Sequence, residues 1–308
     1  MLKIHRASDP IEITQLKAMF YGQPGSGKSS LAFTTEAPLM LDFDGGAHRS
    51  AFRQDAVRVH SWDEVAAISG DDLKGYKTLI VDTVGRALDF LATSLIANDP
   101  KLARKTGDLT LQGYGALKSS FAQWIGRINT LGLDVVMIAH DKESTNERDI
   151  KIVRPDIVGG TYHEVFKLAD AVGYLYLEGK KRVLDFNPTE NYVGKNPAQF
   201  ELLTLPEFTL EPQYGASLLA EIKTTLGAIS AEGQKIVAAL SEYREKLAAI
   251  ESTEAMTELL AEVNAIEDPL KAQVKSVMNE RVKELGFEYD KKAKSFVAPE
   301  SEPEEKVA

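Results

Sequence analysis

Gly22-Gln23-Pro24-Gly25-Ser26-Gly27-Lys28-Ser29, with Ser30 directly after it, is the stretch whose reading decides the fold. Its spacing, G-x-x-x-x-G-K-[ST], is that of a loop that cradles phosphate. The residues before it, Leu16 to Tyr21 (LKAMFY), read as a short buried strand, and Ser30-Leu31-Ala32-Phe33 continues as a helix. In that setting the glycines let successive backbone N–H groups point at one centre, where the helix dipole also favours phosphate. Lys28 is placed to reach the β- and γ-phosphates, and the Ser29 hydroxyl to hold Mg²⁺. The pattern implies binding of a nucleoside triphosphate.

Outward from the loop, three more apolar runs end in polar residues. Pro38 to Gly46 (PLMLDFDGG) is a buried strand running into carboxylates and a turn, Thr78 to Thr83 (TLIVDT) ends at Asp82, and Asp134 to His140 (DVVMIAH) ends at a histidine. Helices are expected over Asp63–Ser69, Val84–Asn98 and Leu111–Leu131, with a shorter strand near Val57–Val59. Apolar strands alternating with helices predict an α/β fold, a mostly parallel sheet with helices on both faces. In such sheets ligands sit beyond the carboxyl ends of the strands. Asp44, Asp82 and His140 are expected on that rim together with the phosphate loop.

Each has a role there. Asp82, after four apolar strand residues, is expected to order the Mg²⁺ shell with Ser29. Asp42 and Asp44 lie two apart and share a strand face, so one of them can orient an attacking water; Asp44, nearer the strand end, is favoured. His140 can hydrogen-bond the γ-phosphate and report its loss to the next loop.

The 308 residues include no cysteine and carry a net charge of −10, so disulfides, cysteine-based zinc sites and a global basic footprint are excluded. The five histidines show no metal-ligand spacing, and no apolar run approaches a membrane span. A cytoplasmic protein without membrane contact is the expectation. Beyond residue 160 we expect a helix over Phe166–Tyr176, then strands around Arg182–Phe186 with a turn at Lys180-Lys181-Arg182. The α/β core is expected over residues 1–212, with an edge strand near Ile11–Ile13. A helical C-terminal region of about three helices follows over 213–290, and an acidic tail over 291–308 that is expected to be disordered.

Two segments read as long loops. One, Lys101 to Tyr114, holds Lys101, Arg104, Lys105 and Tyr114; the other, Lys142 to Gly160, holds Arg148, Lys151 and Arg154. Basic loops with an aromatic can clamp a single nucleic-acid strand by phosphate contact and base stacking.

In this order the motifs resemble the RecA-like P-loop ATPase core over roughly residues 15–200. They look closest to phage-encoded, core-only RecA relatives that act as single-strand annealing or recombination proteins. The resemblance implies ATP with Mg²⁺, Asp44 in place of the family's catalytic glutamate, and His140 in place of its glutamine sensor. The shorter carboxylate implies slow hydrolysis. Gly107 to Leu131 resembles the family's first DNA loop and the helix after it, and the second long loop, ending Gly159-Gly160, resembles its second DNA loop, which implies single-stranded DNA as partner. Tyr192 to Asn196 (YVGKN) resembles the segment from which such proteins reach a neighbour's ATP, which puts Lys195, with Lys180 or Lys181, in trans. The implied function is an ATPase assembling head to tail on single-stranded DNA, in a bacterial host's cytoplasm if phage-encoded. A hexameric DnaB-like helicase motor or loader, or a nucleotide-regulated replication scaffold with little turnover, remain alternatives. The C-terminal helices then suit a single-strand-binding or replication protein.

Overall fold

The computed structural model describes residues 13–50, 52–145, 151–268 and 270–298. The chain runs through β1 (Lys17–Gly22), α1 (Lys28–Ala32), β2 (Pro38–Asp42), β3 (Ala56–Arg58), α2 (Asp63–Ala66), β4 (Thr78–Asp82) and α3 (Val84–Asn98). It continues through α4 (Leu111–Thr130), β5 (Asp134–Thr145), β6 (Lys151–Pro155), α5 (Thr161–Leu168), β7 (Ala171–Glu178), β8 (Lys181–Asp185) and β9 (Leu203–Thr204). The last elements are α6 (Tyr214–Ala248), α7 (Thr253–Asn264), α8 (Leu270–Leu285), β10 (Glu288–Asp290) and β11 (Ser295–Val297).

One sheet organises the first part, in the order β3-β2-β4-β5-β1-β7-β8-β9, with β6 paired to the outer half of β5. Strands β3 to β7 along that path are parallel, and β8, β9 and β6 add antiparallel edges. Alternation of side chains along the strands makes two cores. Met19, Tyr21, Leu41, Val81 and Met137 face α3, α4 and α5, while Phe20, Met40, Ile80, Val136 and Ile138 face α1 and the start of α6. This is a mostly parallel α/β sheet with helices on both faces, as the sequence implies.

At the amino ends of the strands, buried polar groups hold the layers in place. Asp134 accepts from the Leu16 N–H at 2.8 Å and from Lys223 Nζ of α6 at 2.6 Å. Their partial burial makes each donor necessary, because a buried carboxylate left without partners is costly.

Three segments differ from expectation. Lys142–Gly160 is not one loop: β5 continues to Thr145 and pairs antiparallel with β6, making a hairpin whose tip, residues 146–150, lies outside the described residues. The helix expected over Phe166–Tyr176 ends at Leu168, and Ala171 onward is a strand, because Val172 and Tyr174 pair with β1. The hairpin β10–β11 runs from the end of the expected helical region into the segment expected to be disordered, held by Phe296 packing against Tyr289 and by its N–H to Thr257 Oγ1. Residues 299–308 of the acidic tail lie outside the described residues, as do 11 and 12 of the expected edge strand.

Two compact units can be distinguished, one spanning Glu12–Leu226 and a second beginning at Gly227. Helix α6 starts in the first and ends in the second. The second unit has its own core of Leu247, Met256, Val263, Val274 and Met278, formed by the end of α6, α7 and α8. No helix among the described residues is long and apolar enough to cross a membrane.

Candidate nucleotide site

The site forms where β1, β2, β4 and β5 end. In register Gly22 lies opposite His140, and Asp42 opposite Asp82, so the loop and the polar strand ends share one rim. Gly22 and Gly27 have φ of 154° and 105°, a region L side chains rarely adopt, and a methyl at Gly22 would strike the Leu175 carbonyl. Glycine is required there for the loop to turn. The first N–H groups of α1 have no intrahelical acceptor.

Lys28 Nζ donates to the Gly22 and Gln23 carbonyls at 2.8 Å each, and Ser29 Oγ donates to Asp82 Oδ2 at 2.6 Å. Burial pushes the Lys28 ammonium down to about 8, against the pull of Asp82, Asp141 and Asp44. Burial also pushes the Asp82 carboxyl up. Both shifts report an electrostatic site awaiting its counter-charges.

Asp44 behaves differently. His140 Nε2 stands 3.4 Å from its Oδ2, Thr83 Oγ1 donates to the same oxygen at 3.4 Å, and Arg86 Nε is 3.5 Å from its Oδ1. The hydrogen bond from His140 holds its carboxyl below the usual carboxylate range, with help from Arg86. Asp42 is consumed by the backbone: it accepts from the Gly46 and Ala47 N–H groups at 2.9 and 3.0 Å, closing the turn after β2. Of the two carboxylates only Asp44 is open to the cavity.

That cavity is about 660 Å³ and is lined by Pro24, Gly25, Gly27, Lys28, Ser29 and Ser30 of the loop and by Asp44, Asp82 and His140. Its size suits a nucleotide. Ser26 Oγ and Arg182 Nε are buried beside it without hydrogen-bond partners. Unpartnered donors around a phosphate loop fit a polyphosphate, and Ser29 with Asp82 fits one Mg²⁺, completed by phosphate and water. Arg49 and Arg182 also line this cavity. Neither was expected there: Arg182 lay in a cationic run legible only as a turn, and Arg49 after Gly45-Gly46 has no motif around it.

The other expected residues lie elsewhere. Lys195 is bridged to Val172 near the amino end of β7, its Nζ donating to the Ala169 carbonyl at 2.8 Å and lying 5.1 Å from the Phe166 ring centroid. It does not line the cavity of its own chain. Lys101 is exposed on a short 3-10 helix, Arg104 and Lys105 are exposed on a turn closed by an Ala103–Leu109 bridge, and Tyr114 is half-buried on α4. Lys151 is exposed on β6 and pairs with Glu143 at 3.1 Å, while Arg154 lies 4.9 Å over the Tyr162 ring. Arg148 lies outside the described residues. The segment after the hairpin returns to α4, where a methyl on Gly160 would stand 2.9 Å from Lys118 Nζ.

A phosphate-type loop ending one parallel strand, and a buried carboxylate, Asp82, ending a strand two places away, define a P-loop core. A family model described as an AAA domain matches residues 14–198, more than half of the chain, and the protein belongs to that family of P-loop ATPases. No curated protein matches the chain. Among solved structures, the KaiC-like protein of the hyperthermophilic archaeon Pyrococcus horikoshii OT3 is similar at 13% identity, over 62% of this chain and 89% of that one, with a TM-score of 0.35.

Proposed function

We propose that the protein is an ATP-dependent, single-stranded-DNA-binding recombinase or annealing protein that assembles head to tail on DNA with ATP at subunit interfaces. The observation that supports this reading most is the course of β5. One unbroken strand, Asp134–Thr145, holds His140 at the nucleotide cavity and then becomes the first arm of the basic hairpin with β6. Movement of His140 on loss of the γ-phosphate is passed directly to Lys142, Lys151 and Arg154. A strand that joins the two sites is the element that nucleotide-dependent DNA binding needs.

For hydrolysis, the loop and Lys28 hold the β- and γ-phosphates. Ser29 and Asp82 would hold Mg²⁺, which when bound would supply neutralisation of charge on the phosphate oxygens. Asp44, whose carboxylate form the His140 hydrogen bond and Arg86 favour, accepts a hydrogen bond from the attacking water and orients it. The water oxygen bonds to the γ-phosphorus as the bond to the bridging oxygen breaks, releasing ADP and phosphate.

The reading is tested by binding a fluorescent single-stranded oligonucleotide with ATP present, using the wild type and the Lys151→Ala/Arg154→Ala double variant. The variant is expected to bind about tenfold more weakly at moderate salt, with a shallower salt dependence. Equal affinity and equal salt slope would remove the hairpin from the DNA interface. On this reading the C-terminal helices serve a single-strand-binding or replication partner.

A further inference from the structure

Arg182 lies near the start of β8, and its side chain crosses to the phosphate loop. A methyl group on Gly27 would stand 2.9 Å from both its Cδ and its Nε. The stem of the side chain therefore lies against the last glycine of the loop. Nε is buried without a hydrogen-bond partner, and among the described residues no ion pair includes Arg182. Gly27, Lys28, Ser29 and Asp82 line the same cavity.

A half-buried guanidinium without an anion is costly, and its planar fork matches phosphate oxygens two at a time. The backbone keeps it in place: β8 is paired with β7 on one side, with Arg182 opposite Leu177, and the Arg182 carbonyl accepts from the Leu205 N–H at 2.8 Å on the other. The side chain is thus delivered to the loop by two strands of its own chain.

We infer that Arg182 binds the terminal phosphates of the nucleotide held by its own loop and stabilises the charge on the transferring phosphoryl group in cis. This rests on the ATPase reading above. A permanently charged guanidinium does this without exchanging a proton, since arginine stays protonated throughout. The cation that an arginine finger brings from a neighbour is here supplied by the same subunit.

Subunit mixing separates cis from trans. Arg182→Ala keeps an intact loop and loses the guanidinium; Lys28→Ala keeps the guanidinium and loses the loop lysine. If Arg182 serves a neighbour, mixed assemblies bring an intact loop to an intact arginine and turnover recovers. In cis, the mixture stays as inactive as its components. Nucleotide binding gives a second readout: Arg182→Ala is expected to weaken ATP about tenfold or more while leaving ADP nearly unchanged, and Arg182→Lys to restore part of the difference. Recovery on mixing, or an unchanged ratio of ATP to ADP affinity, would overturn the inference. If the wild type binds ATP without turning it over, the hydrolysis reading fails and the affinity ratio still tests Arg182.

Discussion

Lys28 is the residue whose chemistry is most exposed to measurement. Burial lowers its ammonium to about 8 in the nucleotide-free protein, whereas bound phosphate favours the charged form and raises it again. Binding therefore takes up a proton once pH exceeds about 8. Nucleotide affinity measured without magnesium should be flat below that pH and fall by up to about tenfold per unit above it. An affinity unchanged from pH 7 to 9.5 would mean that Lys28 does not meet phosphate. Asp44 makes the opposite case, since the His140 hydrogen bond, with help from Arg86, lowers its carboxyl and favours the charged form. Asp44→Asn preserves the size of the side chain and removes its charge. Turnover should fall about 10²–10⁴-fold with ATP affinity retained; if ATP affinity fell and turnover per bound nucleotide held, Asp44 would be a binding group instead.

At the scale of elements, the Lys223–Asp134 pair fixes α6 to the base of β5 at 2.6 Å. Lys223→Met keeps the apolar stem and leaves the carboxylate with only the Leu16 N–H, so urea unfolding should show a loss of about 1–3 kcal/mol. No loss would mean that apolar packing alone holds α6. The strand ends that build the site were legible because each is a local pattern, a short apolar run followed by a carboxylate or histidine. The outer half of β5 was not legible. Asp141-Lys142-Glu143-Ser144-Thr145 is polar, and only its pairing with β6 makes it a strand. Strand β7 was read in part as helix, because its identity comes from pairing with β1; the alternation of Tyr174 and Tyr176 was the available signal. Arg182 stayed hidden for a related reason. Only the β7–β8 hairpin brings that cation to a loop more than 150 residues earlier in the chain.

For the molecule as a whole, the order of motifs along the chain foretold the sheet, the loop at its centre and the helical C-terminal region. Non-local pairing supplied the path from the loop's rim to the β5–β6 hairpin, which we propose meets DNA. Strand β5 is the element that makes one account of the two sites. The measurement that tests it most directly is ATP turnover with and without single-stranded DNA, for the wild type and for Lys151→Ala/Arg154→Ala, with the same mixtures imaged by electron microscopy. The account predicts that DNA stimulates the wild type and forms helical filaments, while the variant keeps its basal turnover and loses the stimulation. Wild-type turnover indifferent to DNA, or closed rings in place of filaments, would contradict it.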